Sequence, residues 1–258
     1  MQALKEIWTS IFTWKIWLYI GLEDVIGRYR RTVLGPLWIV ISQCAFIVGL
    51  YLIRRSISGG TDTNYLLYLS ISIPAWNLIS TFLTEGTSAL LRSKGYIESY
   101  PLPLPIFVIR TVFAALVNFA HLLVVFVIIA LISRAAPTLN LIAFIPGLII
   151  VSIFGLGVSL GLAALGARFR DLGPAMVSVV GLMFVLSPVF WVPTSEQVHS
   201  AIVQFNPLYY LLEVVREPLL ASPMVLANWG IATGLSVLSL IVGSIIYKIM
   251  RPSIVYWL

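Results

Sequence analysis

Six long stretches of this chain carry no charged side chain, and they decide what it can fold into. Thr32 to Ile53 lies uncharged between Arg31 and Arg54, and Thr63 to Thr84 between Asp62 and Glu85. Thr111 to Ser133 follows Arg110 with His121 as its only titratable group. Ala135 to Ala167, Leu172 to Ser195 and Pro218 to Tyr247 complete the set. Each can form a helix across about 30 Å of hydrocarbon, which takes ~20 residues. None shows the apolar–polar alternation of a barrel strand. The sequence therefore predicts an all-α membrane protein with six transmembrane helices, near 34–53, 65–84, 107–132, 141–166, 173–193 and 228–248, in a single domain over 1–258. Composition agrees, because only 10% of the residues are charged and 60% are hydrophobic. Soluble domains carry about 25% charged residues, so a soluble enzyme is disfavoured, and so is a disordered chain.

Six crossings put both termini on one side. With the N-terminus in the cytoplasm, the inner basic residues are Lys5, Lys15, Arg28, Arg30, Arg31, Arg92, Lys94, Arg110, Arg168, Arg170, Lys248 and Arg251. The outer ones are Arg54, Arg55, Arg134 and Arg216. Twelve against four accounts for all 16 Lys and Arg, and the positive-inside rule then favours cytoplasmic termini. The net charge of +6 is read as orientation, not as a nucleic-acid footprint. Cys44 is the single cysteine, so no internal disulfide and no cysteine zinc site is expected. Lys15 and Glu23-Asp24 make the first apolar stretch a poor signal peptide.

Residues 1–31 read as an interfacial helix followed by a basic motif. Leu4, Ile7, Trp8, Ile11, Phe12 and Leu18 recur at helical spacing, and Trp8, Trp14, Trp17 and Tyr19 suit the headgroup region. The alternative is an extended first span. The longest inner connection, Glu85 to Pro105, combines a short helix at Thr87–Tyr96 with the stiff Pro101-Leu102-Pro103-Leu104-Pro105. Gly157 and Gly161 have small-xxx-small spacing, which favours close helix packing. Ser187-Pro188 and Pro193 break the fifth span, and its freed carbonyls need protein or water partners. Residues 197–220, broken at Asn206-Pro207, read as a re-entrant helical hairpin between spans five and six.

Some chemistry is missing. No G-x-x-x-x-G-K-[ST] occurs, so ATP hydrolysis by this chain alone is not expected. His121 and His199 stand on different segments, and His121 reads as a packing residue with a proton carrier as the alternative. The spans hold no clear Asp or Glu of the kind ion-driven carriers use. No acid–base or metal set of an intramembrane hydrolase is present.

The ordered set of an amphipathic N-terminal helix, Arg30-Arg31-Thr32-x-Leu34-Gly35-Pro36-Leu37-Trp38, Phe169-Arg170-Asp171 after span four, Ser-Pro in span five and Asn206-Pro207 before span six resembles the permease subunit of ABC-2-type polysaccharide exporters. That family includes the O-antigen, capsule and teichoic acid export permeases of bacteria. The resemblance implies a homodimer in the inner membrane, working with two copies of a separate ATPase subunit. That subunit would bind ATP and Mg, with no cofactor or metal held by this chain and no catalytic residue in it. The cargo would be a polysaccharide on undecaprenyl pyrophosphate. The resemblance places Arg28, Arg30 and Arg31 where the lipid pyrophosphate enters. It gives Arg92, Lys94, Tyr96, Arg168, Arg170 and Asp171 to contact with the ATPase. Candidates to line the glycan path are Trp38, Phe46, Tyr51, Phe184, Phe190, Trp191, Tyr209 and Tyr210. Two alternatives stay open: a permease of the same fold for a small lipid or drug, and a membrane-embedded enzyme or scaffold of glycan assembly.

Overall fold

A computed structural model describes residues 2–30, 32–35, 37–58, 63–134, 139–193, 195–198 and 200–258. Arg31, Pro36 and His199, singled out above, lie outside the described residues. The uncharged runs become helices: α3 (Leu37–Ser58), α4 (Thr63–Ser88), α6 (Pro105–Ile132), α7 (Phe144–Arg168) and α12 (Leu226–Trp257) are each long and apolar enough to cross a membrane. The described residues form no strand.

α4 stands at the centre, packed by α3, α6, α7, α8 (Leu172–Leu186) and α11 (Pro207–Leu219). Leu69, Ile71, Ile79 and Phe82 of α4 are fully enclosed. Nearly three quarters of its apolar window (72%) is buried, against 11% for α3. The tightest packing is between α7 and α12. A Cβ on Gly157 would lie 2.3 Å from the Leu240 amide nitrogen, and one on Gly243 would lie 1.9 Å from the Gly157 carbonyl oxygen. The small residue pair is therefore a backbone-to-backbone contact inside one chain.

The fifth traverse differs from its expected extent of 173–193. α8 stops at Leu186, because Pro188 disfavours a helical Ser187, whose φ is −90° and ψ 144°. At one end of α8, Gly173 lies beside Thr87 of α4. Beyond its other end, the Phe190 and Trp191 carbonyls accept from Tyr65 and Tyr68, near the start of α4. The segment therefore runs alongside α4 from Tyr65 to Thr87, 23 residues whose 22 rises span about 33 Å of helix, as a 15-residue helix plus irregular backbone.

The N-terminal reading of one interfacial helix becomes two: α1 (Gln2–Phe12) and α2 (Trp14–Tyr29). Thr13 breaks them apart, its hydroxyl bonding to the Thr9 and Ser10 carbonyls at 3.0 Å, a local competition that bends helices. α2 runs on through Glu23-Asp24 and packs against α6, where Gly21 touches Phe113. Trp8, Phe12, Trp14 and Tyr19 remain exposed. Glu6 accepts from Tyr247 Oη at 2.9 Å and from Arg251 Nε at 3.0 Å, which pins α1 to α12. Both termini thus share one end of the bundle, here the terminal end; the opposite end is the distal end.

Candidate transport sites at the two ends of the bundle

At the terminal end, four elements converge on a set of charges. α2 contributes Asp24 and Arg28, spaced one turn apart on one face. α4 contributes Glu85, because the helix continues four residues beyond its expected end at 84. A 3₁₀ turn (Leu91–Ser93) leads into the short α5 (Lys94–Ser99) and supplies Arg92; α6 supplies Arg110. Glu85 lies 3.7 Å from Arg28 and accepts from Arg92 Nη1. Arg110 Nε lies 3.4 Å from Asp24, and its Nη2 donates to Ser93 Oγ at 3.0 Å. The Tyr96 and Phe107 rings each lie 5.5 Å from the Arg110 guanidinium carbon. Asp24, Arg28, Glu85, Arg92, Tyr96 and Arg110 line a cavity of about 210 Å³ that extends to Thr81 and Asn118.

The short helix expected at Thr87–Tyr96 is displaced: α4 runs on to Ser88, and the connection is the 3₁₀ turn plus α5. Lys94 pairs with Glu98 at 3.8 Å. Arg168 stacks over Trp257 at 5.3 Å, while Arg170 and Asp171 are exposed. The proline-rich strut is non-helical from Tyr100 to Leu104, as its spacing predicts, and Pro105 opens α6 at a first-turn position. Of the basic motif, Arg28 faces the cavity and Arg30 closes α2 through its backbone N–H to Gly27. Gly35 then turns the chain into α3 at φ +54°, a left-handed conformation that glycine adopts without strain.

The distal end carries a second polar cluster, built around the Ser187-Pro188 break. The chain beyond it forms the short helices α9 (Ser195–Val198) and α10 (Ala201–Gln204), then α11. Asn206 caps α11 by accepting from the Leu208 N–H at 3.0 Å, and its Nδ2 donates to Ser187 Oγ at 2.8 Å. Arg216 of α11 is 1% exposed. Its Nη1 donates to Tyr68 Oη (2.6 Å), the Pro188 carbonyl (2.5 Å) and Ser72 Oγ (3.3 Å), and its Nη2 pairs with Glu213. Tyr68 Oη donates to the Pro188 and Trp191 carbonyls. Glu217 accepts from Asn228 Nδ2 and Trp229 Nε1, both at 2.8 Å, tying α11 to α12. Around the break, the Val185, Ser187, Pro188, Phe190 and Trp191 carbonyls accept from protein donors, the kind of satisfaction that irregular backbone in a membrane bundle needs.

The aromatic candidates separate into two groups. Trp38 and Phe46 are exposed on α3, with Tyr51 half-buried there. Phe184 and Phe190 form a buried-side stack with Trp76, at 5.6 Å and 5.4 Å between successive rings, and Trp191 Nε1 donates to the Val185 carbonyl. Tyr209 is buried in the bundle, edge-on to Tyr210. Sequence reasoning passed over Asp24, Glu85, Tyr68 and Glu213 as site residues, and counted Arg110 and Arg216 only as orientation charges. A usable signal exists for Arg216: its carboxylate neighbours Glu213 and Glu217 sit in an otherwise apolar segment.

Residues 17–220 match the ABC-2 type transporter family. Two proteins of Klebsiella pneumoniae named O-antigen export system permease protein RfbA are 23% identical to the chain. One alignment covers 80% of this chain and 81% of the relative, the other 84% of each. A protein of the same name from Myxococcus xanthus is 23% identical over 74% of each chain. With a helical bundle suited to a membrane and a family match over most of its length, the chain belongs to the ABC-2 type transporter family as a membrane-embedded permease component.

Proposed function

We propose that this chain is the permease of an ATP-driven exporter that moves a polysaccharide linked to undecaprenyl pyrophosphate from the cytoplasm to the outer side of a bacterial inner membrane. The observation that carries this reading is the likeness, across some three quarters or more of the chain, to permeases named for O-antigen export. Energy would come from two copies of a separate ATPase subunit, since the chain has no phosphate-binding loop. The terminal end, where Arg28, Arg92, Arg110, Arg168 and Arg251 gather, is the cytoplasmic side in this reading. Arg28, Arg30 and Arg31 meet the lipid pyrophosphate, because a guanidinium fork matches phosphate oxygens. Arg92, Lys94, Tyr96, Arg168, Arg170 and Asp171 lie on the side that receives the ATPase stroke. Two chains pair along α3, where Trp38, Ser42, Ala45 and Phe46 are exposed together and small residues permit close approach. The aromatics Trp38, Phe46, Tyr51, Phe184, Phe190, Trp191 and Tyr210 give stacking faces for sugars along the path, while the buried Tyr209 packs behind Tyr210.

The test is reconstitution in proteoliposomes with and without a candidate ATPase subunit from the same organism, following ATP turnover as lipid-linked glycan is added. Turnover stimulated by glycan and requiring both chains is expected. Stimulation by small lipids or drugs alone would overturn the polysaccharide reading while leaving the family intact.

A further inference from the structure

The distal cluster is closed except along one edge. Of the α11 residues from Leu208 to Pro218, all are buried but Tyr210 and Glu213, which stand three residues apart on one face. Arg216 engages one carboxylate oxygen of Glu213, Oε1. The other, Oε2, has no partner among the described residues and is not sealed from solvent, the side chain being 17% exposed. Tyr209 stands one turn before Glu213. Its ring is buried, edge-on to Tyr210, but its hydroxyl oxygen also lacks a partner and is not sealed. Two open polar atoms thus sit on adjacent turns, where Cβ atoms lie about 5–6 Å apart. Beside them the Tyr210 ring is fixed, because its Oη donates to the Gln204 carbonyl at 2.8 Å. Charge narrows what can meet this edge. Arg216 compensates Glu213, so the pair is formally neutral, and Glu217 is turned to Asn228 and Trp229 of α12. The edge suits a neutral donor of hydroxyl groups better than a second cation. A carboxylate oxygen accepts such O–H bonds strongly, and the Tyr209 hydroxyl can both donate and accept.

We propose that Glu213, Tyr209 and Tyr210 form a binding site for a neutral sugar ring at the distal end. Glu213 Oε2 accepts from one sugar hydroxyl, the Tyr209 hydroxyl meets a neighbouring one, and the Tyr210 ring covers the C–H side. Few polar groups beside an aromatic face is the usual make-up of a small-molecule site. Because Oε1 is held by a buried arginine, Oε2 is presented in a fixed direction, and little ordering is left to do on binding. Arg216 is the positioning residue of the site and touches no ligand. The site stands on the open atoms themselves. Only the identification of the sugar with an exported glycan rests on the export reading.

The full-length chain in phosphatidylcholine nanodiscs is titrated with maltohexaose, mannohexaose and galactohexaose, and binding is followed by saturation-transfer NMR. Saturable binding of at least one is expected, weakened about fivefold by Tyr209→Phe, weakened also by Glu213→Gln and Tyr210→Leu, and unchanged by Tyr256→Phe on the exposed end of α12. Tyr209→Phe removes a hydroxyl that has no partner in the fold, so its unfolding midpoint should not fall, and it keeps the test decisive if Glu213→Gln does not fold. A second set of nanodiscs containing digalactosyldiacylglycerol identifies the source. Competition assigns the site to a glycolipid headgroup, and absence of competition assigns it to a glycan chain. Binding that appears only with added calcium makes Glu213 a cation ligand and overturns the proposal. So does no saturable binding of any of the three sugars, or binding indifferent to both Tyr209→Phe and Glu213→Gln. Sugar binding that persists while glycan-stimulated ATP turnover fails sinks the export reading and leaves the site. Turnover without binding does the reverse.

Discussion

Arg216 and Arg110 are both buried arginines at the edge of a membrane bundle, yet the protein holds them in opposite ways. Arg216 is enclosed by two hydroxyls, a carbonyl and a carboxylate, and only its Nε lacks a partner. Its ligands come from α4, α11 and the broken segment after α8, so the cation joins three elements. Arg110 has one firm hydrogen bond, an offset carboxylate and an adjoining cavity. The difference separates roles that sequence leaves alike. A buried cation with a full set of partners ties elements together, whereas one with a single firm bond contributes less to holding the fold.

The contrast is broken most severely by removing the saturated cation. Arg216→Met leaves Glu213 without its buried partner and removes one of the two donors to the Pro188 carbonyl, so a loss of about 3–5 kcal/mol is expected. Thermal unfolding of the purified chain in detergent reads it as a large fall in midpoint. An unchanged midpoint would show that the distal cluster is not what secures the break. Tyr68→Phe is milder. It removes one hydroxyl that receives from Arg216 and donates to the irregular segment, at a cost of about 1–3 kcal/mol. Crosslinking between cysteines placed on α4 and on the Ser187–Trp191 segment should loosen in this variant and stay firm in Arg110→Gln.

The two ends also differ in how far the sequence announces them. Uncharged length alone marks the spans from 34 to 166 and the last helix, since each must satisfy its own backbone in hydrocarbon. The Gly157–Gly161 contact is legible for the same reason: only glycine admits the backbone of α12 there. The early stop of α8 follows from the restriction that Pro188 places on Ser187, but its consequences do not. Which donors reach the freed carbonyls depends on Tyr65, Tyr68 and Arg216, the arginine lying 148 residues from Tyr68, and no local pattern joins them. The terminal cavity was hidden for another reason. Arg28, Arg92 and Arg110 look like ordinary positive-inside residues, and Glu85 looks like the end of a span. They become a site only because α4 runs past Glu85 and α2 folds back along α6.

Arg110→Gln sharpens the comparison from the other side. It gives up one hydrogen bond to Ser93 and leaves Asp24, which is 41% exposed, to solvent. The expected stability loss is about 1 kcal/mol, well below that of Arg216→Met. A loss as large as that of Arg216→Met would make Arg110 a structural tie and remove the contrast.

The smallest expected effect is the most discriminating. Arg28 is nearly half exposed and meets Glu85 at 3.7 Å, while Glu85 is already bonded to Arg92. An exposed pair of that length contributes about 0–1 kcal/mol, so Arg28→Gln should leave the unfolding midpoint within experimental scatter. The same substitution removes one of three cations from a cavity whose excess is a single charge, and the formal balance falls from +1 to zero. In the lipid-entry role proposed for Arg28, Coulombic attraction at the cavity mouth acts on the lipid pyrophosphate and hardly on the fold, so the variant should lose affinity for inorganic pyrophosphate, read by calorimetric titration, without losing stability. Added salt should shrink the gap between wild type and variant, because a mouth open to solvent is screened within about 8–10 Å. A midpoint shift as large as the affinity change would instead make Arg28 a brace between α2 and α4, and the terminal end would then be as structural as the distal one.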